Sequence, residues 1–337
     1  MVNGQWVLAQ DIKKGDVIKV QRFNSGLEAV DGKFWLDRTN GIKNNIDVLD
    51  VNSDIGALVG WLVGDGYIER FTNRVGWLFN TSELCERKYI ESVLDRLGLK
   101  YKKSTRIAPG NPNRKEMITT VRLSSGQFKK FMVDNGYSLE GARNSSIPKF
   151  IWTSSRETKR MFLRYLYGAD GSYEFRNVDR VKRSIRYKTA SKKLAEELAI
   201  LLREFNISTS IRYNKASSCR STEGWQVLVN VEDIVRFVSE IGVVASKEHC
   251  IDKEVLNISC KRATDLDYDT VESVEYLGAI QTYGLTVDDG VYYTNGIKSH
   301  NTPILNAVEG IWGIVDFVCP EIASIPDSET NRSTLLL

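Results

Sequence analysis

Two aspartates have the type and spacing to do chemistry together. Asp65 closes the segment Leu58-Val-Gly-Trp-Leu-Val-Gly-Asp65-Gly66, and Asp170 closes Leu163-Arg-Tyr-Leu-Tyr-Gly-Ala-Asp170-Gly171, 105 positions later. A carboxylate at a helix C-terminus faces the negative end of the macrodipole, a cost of about 0.3–1 kcal/mol, and this sequence accepts that cost twice. If the two helices pack in parallel, the acids meet at one end. Adjacent carboxylates repel unless a cation neutralises them. The matching cation is hard and oxygen-liganded, such as Mg²⁺. Such a site can activate water and stabilise the leaving oxygen in phosphodiester hydrolysis.

The elements that must position the acids are legible nearby. Gly56, Gly60 and Gly64 recur every fourth residue and so line one helix face. Each costs about 1 kcal/mol against Ala in a helix, which predicts that another helix approaches that face closely. Gly66 is expected to be a left-handed stop. The opposing stripe is read as Met161-Tyr165-Ala169, bulkier than the glycine stripe, so that close packing requires Tyr165 to lie in the groove left by Gly56 and Gly60. After each acid come polar-aromatic strands, a small-hydroxyl segment (Asn80-Thr81-Ser82; Thr189-Ala190-Ser191) and an amphipathic helix. The helix ends also correspond, Val93 to Leu99 with Leu201 to Ile207, at an offset of 108. A pseudo-dimer within one chain follows, expected to act as a monomer.

Around this helical middle lie β-rich flanks, the pattern of one domain inserted into another. Strands are predicted over Trp6–Ala9 and Val17–Val20, flanking a turn at Asp11–Gly15. Others are predicted over Thr270–Tyr276, Leu285–Val287 and Val291–Tyr293, around an Asp289-Gly290 turn. The 337 residues, 42% hydrophobic and 26% charged with a net charge of +3, describe a globular chain and exclude wholesale disorder, collagen and coiled coil. The near-balanced charge does not by itself announce a nucleic-acid binder. No apolar run reaches the ~20 residues of a membrane span, and the first residues lack an apolar signal core; no membrane partner and a cytoplasmic location are the expectations. Five cysteines without a CxxC pair are expected as reduced, buried thiols, and two histidines are too few for a zinc site.

Cations alternate along Arg180-Val-Lys-Arg-Ser-Ile-Arg-Tyr-Lys188. Period two puts Arg180, Lys182, Ser184, Arg186 and Lys188 on one strand face, with Arg183 an exception among Val181, Ile185 and Tyr187. Lys100, Lys102, Lys103 and Arg106, followed by Arg114 and Lys115, give the first repeat a comparable cluster. Together they suit a phosphate track for double-stranded DNA; a charged edge strand guarding against aggregation is the alternative.

Both nine-residue segments resemble the LAGLIDADG (dodecapeptide, DOD-type) motif of homing endonucleases, and the resemblance extends over about 54–245. The run-in Ser146-Ile147-Pro148-Lys149-Phe150-Ile151-Trp152 is also similar. The resemblance implies an α+β fold, a pseudo-two-fold αββαββα body whose motif helices form the internal interface. It implies that Asp65 and Asp170 bind Mg²⁺ and that two sheets form a saddle over DNA. Lys188 is the candidate transition-state cation. Tyr165 departs from the family pattern, which has a small residue there. A DNA-binding regulator, or a decayed endonuclease keeping the fold without cleavage, is the alternative reading.

The stretch from Thr282 to Thr302, ending Ser299-His300-Asn301-Thr302, resembles the C-terminal splicing motifs of inteins, and Gln5–Asp16 resembles an early intein segment. The implied chemistry is cyclisation of the Asn301 side chain onto its own carbonyl. His300 assists the leaving amide, and the Thr302 hydroxyl is the acyl acceptor. Gly284 stands where the motif commonly has an Asp, so an assisting acid is either lost or supplied by Asp288. No N-terminal Cys or Ser and no Thr-x-x-His element are seen, so the expectation is an incomplete Hint-type splicing domain that splices in trans with an N-terminal intein fragment. The expected organisation is 1–50, first part of the splicing domain; 51–245, endonuclease (repeats 51–145 and 146–245); 246–301, second part; and 302–337, host segment.

Overall fold

The computed structural model describes residues 2, 5–19, 29–37, 46–107, 117–177, 181–215, 223–256, 268–276, 291–294 and 297–300. In chain order the elements are β1 (Val17–Lys19), β2 (Lys33–Trp35), β3 (Val48–Asp50), α1 (Ser53–Asp65), β4 (Gly66–Ile68), β5 (Arg74–Asn80), α2 (Leu84–Arg96), β6 (Tyr101–Ile107), β7 (Met117–Ser124) and α3 (Gly126–Asp134). Then come α4 (Lys149–Trp152), α5 (Arg156–Asp170), β8 (Gly171–Asn177), β9 (Val181–Thr189), α6 (Lys192–Arg203), β10 (Thr209–Asn214), β11 (Gly224–Val229), α7 (Ile234–Glu240), α8 (Ala245–Glu248), α9 (Lys253–Leu256), β12 (Tyr268–Thr270), β13 (Val291–Thr294) and β14 (Ile297–His300).

The contacts divide the chain into two units, residues 25–261 and residues 1–24 with 262–337. These divisions lie outside the sequence boundaries at 50/51 and 245/246, for a physical reason. The Asp31 carboxylate accepts from Ser155 N, Ser155 Oγ and Thr158 Oγ1 at 2.7–3.0 Å, capping the start of α5. The Gln127 side chain similarly ties Ile46 N and the carbonyls of Leu36 and Asp37 to α3.

The larger unit is an αββαββα motif written twice. Its sheets run β4-β5-β7-β6 and β8-β9-β11-β10, the same order and wholly antiparallel. Correspondence extends to single backbone angles. Gly98 and Asn206, 108 positions apart, both adopt positive φ, 68° and 61°. The following amides bond back alike, Leu99 N to Leu94 O at 2.9 Å and Ile207 N to Leu202 O at 3.1 Å. The hydroxyl segments do equivalent work too. Asn80 makes a capping box with Glu83, and Ser191 Oγ caps α6 by accepting from Leu194 N. The core joins both repeats, with Trp61, Trp77, Tyr167, Tyr187, Phe128 and Phe162 among its largest fully buried side chains. Among the described residues no helix is long and apolar enough to cross a membrane.

In the smaller unit β1 pairs antiparallel with β12, and β13 with β14. Gly15, at φ 92°, makes the predicted turn before β1. Two strand predictions are corrected. Residues 6–8 are irregular and lead into a single 3₁₀ turn, Ala9–Asp11, and the strand expected over 270–276 stops at Thr270. Residues 285–287 and the Asp289-Gly290 turn lie outside the described residues. Cys85 is free and exposed and Cys250 is free and half-buried, so the expectation of buried thiols fails at Cys85.

Candidate active site and sheet faces

Glycine spacing sets the geometry. A Cβ on Gly56 would strike the Thr158 carbonyl, one on Gly60 the Phe162 carbonyl, and one on Gly64 the Ala169 Cβ. Those partners rise in number with the glycines, so α1 and α5 run in parallel at backbone contact and end together at Asp65 and Asp170. The facing stripe is therefore Thr158, Phe162, Leu166 and Ala169, one step around the helix from the stripe read in sequence. Tyr165 does not fill the glycine groove; its ring stacks on Tyr89 at 5.3 Å and meets Trp61 edge-on at 6.2 Å. A helix face at that rotation has room for a large ring, which is why this position tolerates tyrosine.

The helix stops differ from expectation as well. Gly66 is extended (φ −124°) and so is Gly171 (φ −70°), so neither is left-handed. Glycine is needed for space: a Cβ on Gly66 would overlap Leu62 and one on Gly171 would overlap Tyr167, each four residues back. The chain folds sharply over the last turn and enters β4 or β8 directly, holding each aspartate at a fixed corner.

Asp65 and Asp170 share one electrostatic environment. Burial raises both, and the charge on Asp65 pushes Asp170 up further, to about 7. By surface area Asp170 is exposed at its tip, so its rise comes from the protein crowding one side and from its neighbours. Glu83, buried beside Asn80, is raised first by burial and also by Asp65. The cation that favours ionisation of Asp65, Asp170 and Glu83 is Lys247, on α8. The buried Tyr187 hydroxyl is raised well above its usual range by burial and then by Asp170.

Sequence reasoning missed Lys247. No motif marks it, and its place depends on the buried Glu86, whose Oε1 accepts Ser246 N at 2.9 Å and pins α8 to α2. Lys188 is exposed on β9 and is not among the charges acting on either aspartate. Its counterpart in the first repeat is Leu78, because Gly66 pairs with Trp77 as Gly171 pairs with Tyr187.

Among the described residues no three His, Cys, Asp or Glu side chains gather as metal ligands. Two carboxylates, both raised above the usual range, still fit Mg²⁺, which keeps several waters and binds through one or two carboxylates plus substrate phosphate.

Alternation on β9 is as expected. Arg183, Ile185 and Tyr187 are buried, whereas Lys182, Ser184 and Arg186 are half-buried on the other face. Arg183 belongs inside because its guanidinium donates to the Leu256 carbonyl at 2.9 Å. Arg180, Arg114 and Lys115 lie outside the described residues. Lys100, just before β6, and Lys102, Lys103 and Arg106 on it are all exposed. They do not share a face: Lys103 turns to Glu91 of α2 at 3.1 Å, and Lys102 and Arg106 alternate with it. Lys102 sits opposite Arg122 on β7.

The strand β14 ends at His300, whose backbone pairs with Val291. Asn301 and Thr302 lie outside the described residues, as does Gly284.

Residues 157–242 match the family of LAGLIDADG-like domains. The match covers the second repeat from the start of α5. Longer relatives are similar over more of the chain. The replication factor C small subunit of Methanocaldococcus jannaschii is 25% identical over 207 residues, 57% of this chain and 11% of that protein. A DNA polymerase of Thermococcus hydrothermalis is 28% identical, over 80% of this chain and 16% of that protein. A DNA gyrase of Mycobacterium gordonae is 24% identical, over 88% of this chain and 60% of that protein. The chain thus spans less than two thirds of these relatives. Among solved structures, the homing endonuclease I-DmoI in complex with DNA and Ca is 16% identical with TM-score 0.40, over 58% of this chain and 92% of that one. The N-terminal LAGLIDADG domain of DUF199/WhiA is 14% identical with TM-score 0.41, over 64% of this chain and 96% of that one.

Proposed function

We propose that this chain is a site-specific double-strand DNA endonuclease of the homing type, carried within a protein-splicing element. The observation that supports cleavage is the meeting of Asp65 and Asp170 at the parallel ends of α1 and α5, where the charge of one raises the other. Asp65 and Asp170 would hold a divalent ion, Mg²⁺ by its coordination chemistry, which supplies an activated water and a counter-charge for the leaving oxygen. Around it this chain's residues orient and neutralise. Lys247 offsets the acids' negative charge. Tyr187 keeps its proton and can donate it as a hydrogen bond. Lys182 and Arg186 on β9, with Lys102 and Arg106 on β6, present cations to the duplex on faces away from the helices.

The splicing reading is supported by residue types at 299–302 and by the hosts of similar segments. A replication factor, a DNA polymerase and a DNA gyrase are unlike proteins, yet each has a segment similar to this one. A portable element within unrelated hosts accounts for that distribution. In it, Asn301 would cyclise and release the Thr302 amine, with His300 assisting.

Incubating the full chain with a randomised duplex library and Mg²⁺, then sequencing the ends, tests cleavage. Paired cuts at one sequence that vanish with EDTA support it. Sequence-selective binding without any cut would leave the regulator reading.

A further inference from the structure

On the outward face of the second repeat, three cations converge on a single carboxylate. Glu174 of β8 binds Lys182 Nζ at 2.8 Å, Arg176 Nη2 at 3.2 Å and Arg186 Nη2 at 3.8 Å. These contacts hold the Glu174 carboxyl below the usual carboxylate range, the Lys182 hydrogen bond first among them. All four side chains remain open to solvent, Glu174 by 25% and Arg176 by 58%. Register explains the convergence: Arg176 sits opposite Lys182 and Ser172 opposite Arg186, which brackets Glu174 opposite Ser184.

The first repeat has a weaker counterpart, in which Glu69 accepts from Thr72 Oγ1 at 2.6 Å and pairs with Arg74 at 3.6 Å. Glu69 stands three residues after Gly66, as Glu174 stands three after Gly171. Its carboxyl is also held low, by Thr72 first and then by Arg74 and Arg122. Two carboxylates at equivalent points on two cationic faces are a repeated feature of the fold, whereas a stray surface charge would occur once.

We propose that Glu174, with Glu69 as its counterpart, is an intramolecular counter-anion that competes with DNA phosphate for Lys182, Arg186 and Arg176, and so limits binding to non-specific DNA. This rests on the DNA-binding reading above. Binding driven by phosphate neutralisation gains from every cation free to release a counterion. A cation already paired with Glu174 contributes only after that pair is broken. Exposed pairs of this kind are weak enough to exchange. A duplex seated in register can replace the carboxylate at all three cations at once, but a poorly seated one cannot. The carboxylate is then left near the groove, able to accept from cytosine N4–H.

The test is the salt dependence of binding to a random-sequence duplex of roughly 40 base pairs, measured for the full chain across about 50–200 mM salt. Glu174→Gln keeps the shape and removes the charge. It should tighten binding about tenfold at ~150 mM salt and steepen the log–log slope by about 0.9 for each cation released. Glu174→Ala should do the same, and thermal melts confirm that both variants fold. Asp134→Asn, which removes one negative charge from α3 where Asp134 pairs with Lys130, is the control and should leave the slope unchanged. Equal slopes for wild type and Glu174→Gln would overturn the proposal while leaving DNA binding intact. An equal effect of Asp134→Asn would reduce it to net charge. A wild type with no salt-dependent duplex binding would overturn this proposal and the DNA-binding reading together.

Discussion

Gly60 lies directly against the backbone carbonyl of Phe162, with no space between them for a methyl group. Because the obstacle is backbone, it cannot rotate away. The same holds one turn earlier, at Gly56 and Thr158, so the approach of α1 to α5 is set at two points before the helices reach their acids.

Gly60→Ala should therefore push the helices apart. Alanine gains about 1 kcal/mol of helix propensity, but overpacking of about 1–3 kcal/mol opposes it, and melting should fall by several degrees. Cleavage should fall further than binding, because the acids separate while the sheet faces persist. A variant with unchanged melting and cleavage would show that the contact is not limiting.

Asp65→Asn and Asp170→Asn each remove one of the two carboxylates proposed to hold the metal. Either should lower the cleavage rate by about a thousandfold or more, several kcal/mol of charge stabilisation, with duplex affinity held within a few-fold. Single-turnover cleavage and gel-shift titration of the same preparations separate the two effects.

Without metal, Asp170 should oppose folding as pH rises. Its folded pKa, about 7, lies above the unfolded value of 3.8, so the folded state binds more protons between those limits and stability declines across that window as pH increases. In EDTA, Asp170→Asn should flatten this decline, and the variant should melt higher than wild type at pH 7.5 but not at about pH 4. Adding Mg²⁺ to wild type at pH 7.5 should raise melting, since an ion that binds only the folded state stabilises it. Parallel melting curves for the two proteins at every pH would break the link to this carboxyl.

Lys102→Ala and Arg106→Ala test the first repeat's face. Each should weaken duplex binding and flatten the salt slope by about 0.9. Lys103→Ala, whose partner is Glu91, should have the smaller effect.

Splicing chemistry is tested by intact mass. A fragment beginning at Thr302 should form slowly from wild type and not from Asn301→Ala. Its appearance from that variant would mean that the junction lies elsewhere.

The repeat was legible because it is carried by residues with strong local meaning. The four-residue glycine spacing and the Gly98/Asn206 helix stops each dictate backbone on their own, the repeated Asp-Gly pairs mark where the helices end, and the alternation on β9 dictates its faces. What escaped depends on contacts between distant segments. Lys247 is placed by a hydrogen bond between α8 and α2, which no periodicity encodes. The facing stripe on α5 was misassigned because Met161 and Phe162 are adjacent in sequence, and only the partner helix decides which of the two rows is covered. The Asp31 cap on α5 joins residues 124 positions apart, so residues 29–37 and 46–50 gave no sign of folding with the larger unit.

The two-fold likeness does not extend to the cations near the two aspartates. Lys247 comes from α8, after the second repeat, and Leu78 occupies the place that Lys188 holds across the pseudo-axis. The antiparallel strands of a duplex would then meet two chemically unequal half-sites. One scission should outrun the other, and a supercoiled circle should relax to a nicked form before it becomes linear, with the order of the cuts fixed by which way round the DNA is seated.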